Sequence, residues 1–157
     1  LEPVGCITGS LQMQVGLLRY EGYRQALIEA NIRYTPDLVY NGNFHKEDGY
    51  KALYHFHQKG IMPRSLFCAN DATALGVYLA AEELGIRIPE DLAIIGCDDI
   101  EISRIVTPKL STVKFGDVTQ NAEKLVDLLW YRIEHPQAER QLIMLQPIVI
   151  ERQSTKV

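Results

Sequence analysis

"SLFCANDATALGVYLAAEELGIRIPEDLAIIGCDD" (residues 65–99) holds the alternation that decides the fold. An apolar run at 65–69 ends in the polar pair Asn70-Asp71. A helix-length stretch follows at 71–84 and closes at Gly85. Pro89 marks a loop, and a second apolar run at 92–97 ends in Asp98-Asp99. Short apolar runs bounded by turn residues read as buried strands, and the stretch between them has the length of a connecting helix. Asn70 or Asp71 suits the helix N-cap, because such side chains accept from the free N–H groups of the first turn. Gly85 suits the C-terminal cap.

The same alternation continues on both sides. A strand is expected over 4–8 and a helix over 16–30, with Leu17, Tyr20, Tyr23, Leu27 and Ala30 at helical spacing. Residues 37–41 read as a short strand. Residues 46–59 read as a second helix carrying Tyr50, Leu53, Tyr54 and His57, closed by Gly60. A strand near 111–115 leads into a helix over 117–134, and the tail 141–152 reads as extended, broken at Pro147. Repeated strand–helix alternation predicts right-handed βαβ units, hence an α/β fold with a mainly parallel sheet flanked by helices. Helix 117–134 carries Val118, Ala122, Leu125, Val126, Leu129 and Ile133 on one face, with Leu128 and Trp130 beside it. Such a stripe requires a partner surface.

Composition narrows the function classes. The chain has 157 residues, 46% of them hydrophobic, which suits one domain or one large lobe with a core. A net charge of −4 without Lys or Arg runs argues against nucleic acid as the direct partner of this segment. No apolar stretch approaches the ~18 residues of a membrane helix. No basic n-region precedes the first strand, so no signal peptide is read. Residue 1 is Leu, not Met, so the chain reads as part of something longer. Cys6, Cys68 and Cys97 each sit in an apolar run, which suits reduced core thiols in a cytoplasmic protein. They lack the CxxC spacing of a metal site. "HFH" at 55–57 places its histidines on different helix faces, so neither metal nor cofactor is expected. GxSxG, P-loop and GxGxxG motifs are absent, and no histidine is read at a strand end where a triad would need one.

In an open parallel sheet, ligands bind outside the carboxyl ends of the strands. Asn70, Asp71, Asp98 and Asp99 all fall there. A carboxylate fixed at a strand end can accept from two vicinal hydroxyls of a sugar or nucleoside, or it can cap the next turn. For Asn70-Asp71, one residue caps the helix and the other remains open to ligand. Arg19 follows the "ITGSLQMQVG" loop (7–16) and either reaches into the crevice or stays solvated or paired to Glu21 or Asp98. Phe44, in "YNGNFHKEDG", either stacks on a ligand or staples the next helix.

Three motifs together resemble one family. "AND" with "ALG" (69–76), "IPEDLAIIGCDD" (88–99) and "TPKLSTV" (107–113) occur in the order found in the lactose/galactose-repressor family of bacterial transcription regulators. "ITGSLQMQVGLLRYEGYRQAL" (7–27) and "IERQST" (150–155) fit it too, so the resemblance covers essentially the whole chain. It implies a truncated two-lobe domain, in which the chain forms a periplasmic-binding-protein-like (type I) lobe. Residues 4–106 and 141–152 would form the second lobe, and 110–136 would return to a mostly absent first lobe. The hinge and the DNA-binding headpiece would also be absent, so operator DNA would be met only through that headpiece. The resemblance further implies a homodimer and a small effector held between the lobes. By position, Arg19 matches an arginine that grips effector hydroxyls or a carboxylate, Phe44 an aromatic that stacks on the ligand, and Asn70 and Asp98 polar contacts to hydroxyls. Met13 and Val15 stand where purine-type members carry polar contacts. That departure disfavours a purine and favours a small sugar or sugar phosphate, with Met13 as a contact of the specificity loop. With its native neighbours missing, helix 117–134 would leave its apolar stripe exposed in an isolated monomer.

Two other functions compete. A periplasmic sugar receptor of a transporter has the same fold, but unpaired cysteines and the repressor-like motifs speak against it. A Mg²⁺-dependent phospho-acceptor enzyme would need an acidic pair on the first strand, which here ends in Thr8-Gly9. No enzyme activity is expected.

Overall fold

The computed structural model describes residues 2–156. Strands β1 (Val4–Ile7), β2 (Val39–Tyr40), β3 (Ser65–Cys68), β4 (Ala93–Cys97) and β5 (Ser111–Phe115) run parallel, and β6 (Pro147–Ile150) closes one edge antiparallel to β5. Their order in the sheet is β2-β1-β3-β4-β5-β6. The helices are α1 (Gln14–Glu29), α2 (Lys46–Lys59), α3 (Asp71–Leu84), α4 (Ile102–Ile105) and α5 (Val118–Glu134). Because β2 lies on one side of β1 and β3 on the other, the strand order reverses at β1. The right-handed crossover rule then puts α1 on one face of the sheet and α2 and α3 on the other.

The main core lies under α2 and α3, where Ile7, Leu53, Phe56, Leu66, Val77 and Ile94 are fully or almost fully buried. The two helices approach closely through glycines. A Cβ at Gly76 would sit 1.8 Å from the Lys46 carbonyl oxygen, and one at Gly49 would sit 1.9 Å from that of Thr73. On the opposite face, Cys6, Tyr23 and Leu27 form a smaller cluster under α1. Beside α1, an apolar groove of about 600 Å³ opens over Phe67, Cys97, Val113 and Phe115.

Helices α2 and α3 have the boundaries the sequence suggests, and α1 starts two residues earlier than expected. The 37–41 segment differs. Pro36 opens a 3-10 turn at Pro36–Leu38, and only Val39–Tyr40 pairs with β1. Proline at the first position of a turn presets its φ, which favours the turn over extension. Pro147 begins β6 rather than breaking it, and 141–146 are not in a strand. A proline is tolerated there because β6 pairs on one side only. Helix α4 was not anticipated, since four residues are too few for a periodic pattern.

Cys6, Cys68 and Cys97 are buried free thiols. Burial pushes the Cys97 thiol up to about 12, so it stays protonated. No helix among the described residues is long and apolar enough to cross a membrane.

Helix α5 stands apart. The Asp117 side chain caps it, accepting from the Gln120 N–H at 3.0 Å, yet none of its residues is buried. Val118, Leu125, Leu129 and Trp130 are 76%, 67%, 61% and 62% exposed. The sheet retains Ser111–Phe115, so the excursion that carries α5 begins beyond Phe115 and ends where β6 pairs back onto β5.

Candidate functional site

The strand order reverses at β1, and in sheets of this kind the crevice at such a point takes the ligand. Residues from four segments gather there. Arg19, in the second turn of α1, reaches across the strand ends. Its Nη1 donates to the Ala69 carbonyl at 2.5 Å and its Nη2 to Asp98 Oδ1 at 2.7 Å. The guanidinium carbon lies 5.8 Å from the Phe44 ring centre and 5.6 Å from that of Phe115, so two aromatic rings flank it.

The loop after β2 is shaped to present Phe44. Asp48 Oδ2 accepts from the N–H groups of Asn43 (2.7 Å) and His45 (3.0 Å), tying the loop to the start of α2. Phe44 takes a left-handed φ of 67°. Its ring lies over Gly9, where an added Cβ would come within 2.0 Å of it. The staple alternative fails, because the residue four positions into α2 is Gly49 and offers no apolar side chain. His45 does lie in the loop that follows a strand, five residues beyond the end of β2. It stands at the N-terminus of α2, with its ring 3.4 Å from the Asn43 side chain.

Asn70 serves two purposes. Its Oδ1 accepts from the Thr73 N–H at 2.8 Å, making it the cap of α3, and its Nδ2 donates to the Phe44 carbonyl at 3.1 Å. Asp71 is fully buried. Its Oδ1 accepts from the Thr112 hydroxyl (2.6 Å) and its Oδ2 from the Ile100 N–H (3.0 Å). Burial pushes its carboxyl up to about 6, and the nearby Asp98 and Asp99 charges act in the same direction.

Asp98 and Asp99 diverge although adjacent. Both have positive φ, 106° and 49°. Asp98 is exposed toward the crevice and pairs with Arg19. The Asp99 side chain is only 5% exposed and takes Arg152 Nη2 at 2.5 Å and Arg104 Nη2 at 2.6 Å. Burial works to raise its pKa, but the hydrogen bonds and charges of the two arginines outweigh it and hold the carboxyl below its ordinary value. Met13 is exposed at the start of α1, and its side chain makes no cap.

Arg19, Phe44, Asn70 and Asp98 therefore come together. Asp71 and Asp99 do not join them. Both point into the protein with their oxygens occupied, so their expected role as ligand contacts is corrected to a role inside the fold. Phe115 and Arg152 were missed. Phe115 was legible by the rule that found Asp98, since it ends a strand. Arg152 gave no such signal, lying 53 residues from its partner. Among the described residues no cluster of His, Cys, Asp or Glu could hold a metal ion.

The arrangement offers a fork of N–H donors, an exposed carboxylate and flanking aromatic faces. That set matches a ligand with neighbouring hydroxyls and an apolar ring face.

A family model described as a periplasmic binding protein-like domain matches residues 3–155. The chain is 38% identical over 153 residues to the HTH-type transcriptional repressor PurR of Pasteurella multocida, covering 98% of this chain and 46% of that protein. It is 35% identical over 151 residues to the ribose operon repressor of Escherichia coli K12, covering 96% and 46%. Two solved structures share the fold: the lac repressor dimer bound to operator and the anti-inducer ONPF, and the transcriptional regulator CelR with cellobiose. The first has a TM-score of 0.88 at 26% identity, covering 99% of this chain and 53% of that one. The second has 0.87 at 28%, covering 96% and 46%. The chain spans about half the length of the curated relatives it matches, 46% in both cases given.

Proposed function

The chain belongs to the periplasmic binding protein-like domain family, in the form carried by lactose/galactose-repressor-type regulators, and on that premise we propose that it is the effector-binding portion of a bacterial transcription regulator. The effector is a small sugar or sugar phosphate. The observation that carries this reading is Arg19, flanked by Phe44 and Phe115 and paired to the crevice-facing Asp98. Arg19 donates to hydroxyl oxygens, Asp98 accepts from hydroxyl hydrogens, and Phe44 covers the ring's C–H face. Asn70 orients Phe44 through the carbonyl it holds and has one further amide hydrogen to offer.

In the full protein, the six-stranded sheet and the helices packed on it form one lobe of a two-lobed domain, and the excursion beyond Phe115 that carries α5 returns to the other. The expected return at 110 is thereby moved past β5, which pairs with β4 and β6. A cytoplasmic homodimer reaches operator DNA through a separate headpiece. The exposed stripe of α5 is consistent with a helix that packs on parts of the protein outside this chain. The transport-receptor alternative has less support, since the relatives given above are repressors and the three thiols are buried and unpaired.

Titration calorimetry with D-ribose, D-galactose, cellobiose and hypoxanthine tests the reading. A sugar is expected to bind, and Arg19→Ala to weaken it by roughly a hundredfold, because Asp98 loses its partner and the ligand its donors. Binding of hypoxanthine alone would overturn the inference drawn from Met13 and Val15.

A further inference from the structure

We propose that Asp71 is a positioning residue that, from inside the fold, sets the loop presenting Asp98 to Arg19. The inference rests on the reading of Asp98 as a ligand contact and adds a residue that cannot touch the ligand itself.

Two consecutive non-glycine residues with positive φ form an unfavourable chain path that persists only where the surroundings hold it. The loop's N–H groups show what holds it. The Asp98 N–H donates to the Val113 carbonyl at 2.8 Å, an extension of the β4–β5 pairing. The Asp99 N–H donates to the Thr112 hydroxyl oxygen at 3.3 Å, and the Ile100 N–H to Asp71 Oδ2 at 3.0 Å. Asp71 governs both of the latter. It takes the Ile100 N–H directly. Its ionised carboxylate can only accept, so it fixes the Thr112 hydroxyl as a donor at 2.6 Å and turns that oxygen's lone pairs toward the Asp99 N–H. Gly96 makes room, since a Cβ there would lie 2.2 Å from Asp71 Oδ1.

The ionisable groups facing Asp71 are the thiols of Cys68 on β3 and Cys97 on β4 and the carboxylates of Asp98 and Asp99. Arg19, Arg104 and Arg152 pair with Asp98 or Asp99 instead. Asp71 is thus an acceptor without a cationic partner, and burial raises it to about 6. Protonation removes the charge that the Ile100 N–H and the Thr112 hydroxyl stabilise, so it loosens the loop locally while Asp71 stays buried, even though it favours the fold as a whole by removing a buried charge.

Amide hydrogen exchange by NMR, expressed as protection factors, tests the proposal without a ligand. In the wild-type protein, protection of the Asp99 and Ile100 amides is expected to fall as the pH drops through about 6. Asp71→Asn and Thr112→Val are each expected to lower it about tenfold at neutral pH, the scale of one lost buried hydrogen bond. Thr112→Ser should restore it, and Asp71→Asn should abolish the pH step. Amides inside β4 should keep their protection throughout. Unchanged protection at Ile100 in Asp71→Asn, or an equal fall across β4, would overturn the proposal. If Asp71→Asn does not fold, Thr112→Val decides by the same two criteria. A parallel D-ribose titration separates the claims: no binding by wild-type protein counts against that sugar, while the exchange result still decides the role of Asp71.

Discussion

Helices α3 and α5 begin alike and end up in opposite surroundings. Each is opened by a side chain that accepts from a backbone N–H three residues on, Asn70 for α3 and Asp117 for α5. Helix α3 buries Ala74, Gly76, Val77, Tyr78, Ala80 and Ala81 among others, whereas α5 buries nothing. Yet α5 has the sharper division into apolar and polar faces, while α3 is apolar nearly all round. A cap and a periodic pattern tell the chain where to wind. They do not supply the surface that the apolar side needs, and most helix stability in proteins comes from that surface.

The contrast can be broken by mutation, most forcefully in the body. Phe56 is fully buried between α2 and the sheet, and Phe56→Ala is expected to cost about 3–5 kcal/mol by urea denaturation, from lost burial plus an unfilled cavity. A cost near that of a surface change would mean the core is looser than its burial implies.

A smaller effect sharpens the contrast at the first residue of α3. The folded-state pKa of Asp71, about 6, lies above its ordinary 3.8. A raised value means that the folded state binds the proton more tightly than the unfolded one. The stability this group contributes is therefore complete below about 3.8 and is lost as the pH rises through about 6. Between those limits, wild-type protein should lose on the order of 2–3 kcal/mol relative to Asp71→Asn. Denaturation of both proteins at the two ends of this range measures the change in their gap, and a constant gap would refute the shift.

The smallest effect belongs to α5. Leu129→Ala, at a site 61% exposed, should change the stability of the chain by less than about 0.5 kcal/mol. A loss above about 1 kcal/mol would show that the stripe is packed in solution, and sedimentation of the same variant would show whether a second copy packs it.

Much of the body was legible in the sequence. Helices 46–59 and 71–84 fall where their periodicity, caps and terminal glycines put them. The mainly parallel sheet followed from alternation alone. Pro36 hid a turn inside an expected strand, and α4 was too short to leave a pattern. At the site, Arg19, Phe44, Asn70 and Asp98 were legible by position at strand ends or beside the loops that follow them. The sequence leaves Arg19 open to ligand contact or to pairing with Asp98, and the structure contains that pair. Asp71 and Asp99 were misjudged, because strand-end position says that a residue is near the crevice, not which way it faces.

The sequence by itself determined the order, type and approximate length of the elements and the polar residues at their ends. These depend on periodicity and on capping within a few residues. Only the tertiary structure decided that Asp98 meets Arg19 while its neighbour Asp99 meets Arg152, and that Asp71 turns inward to Thr112. Those directions follow from backbone angles held by hydrogen bonds between residues 41 to 79 positions apart, a range over which no local pattern carries information.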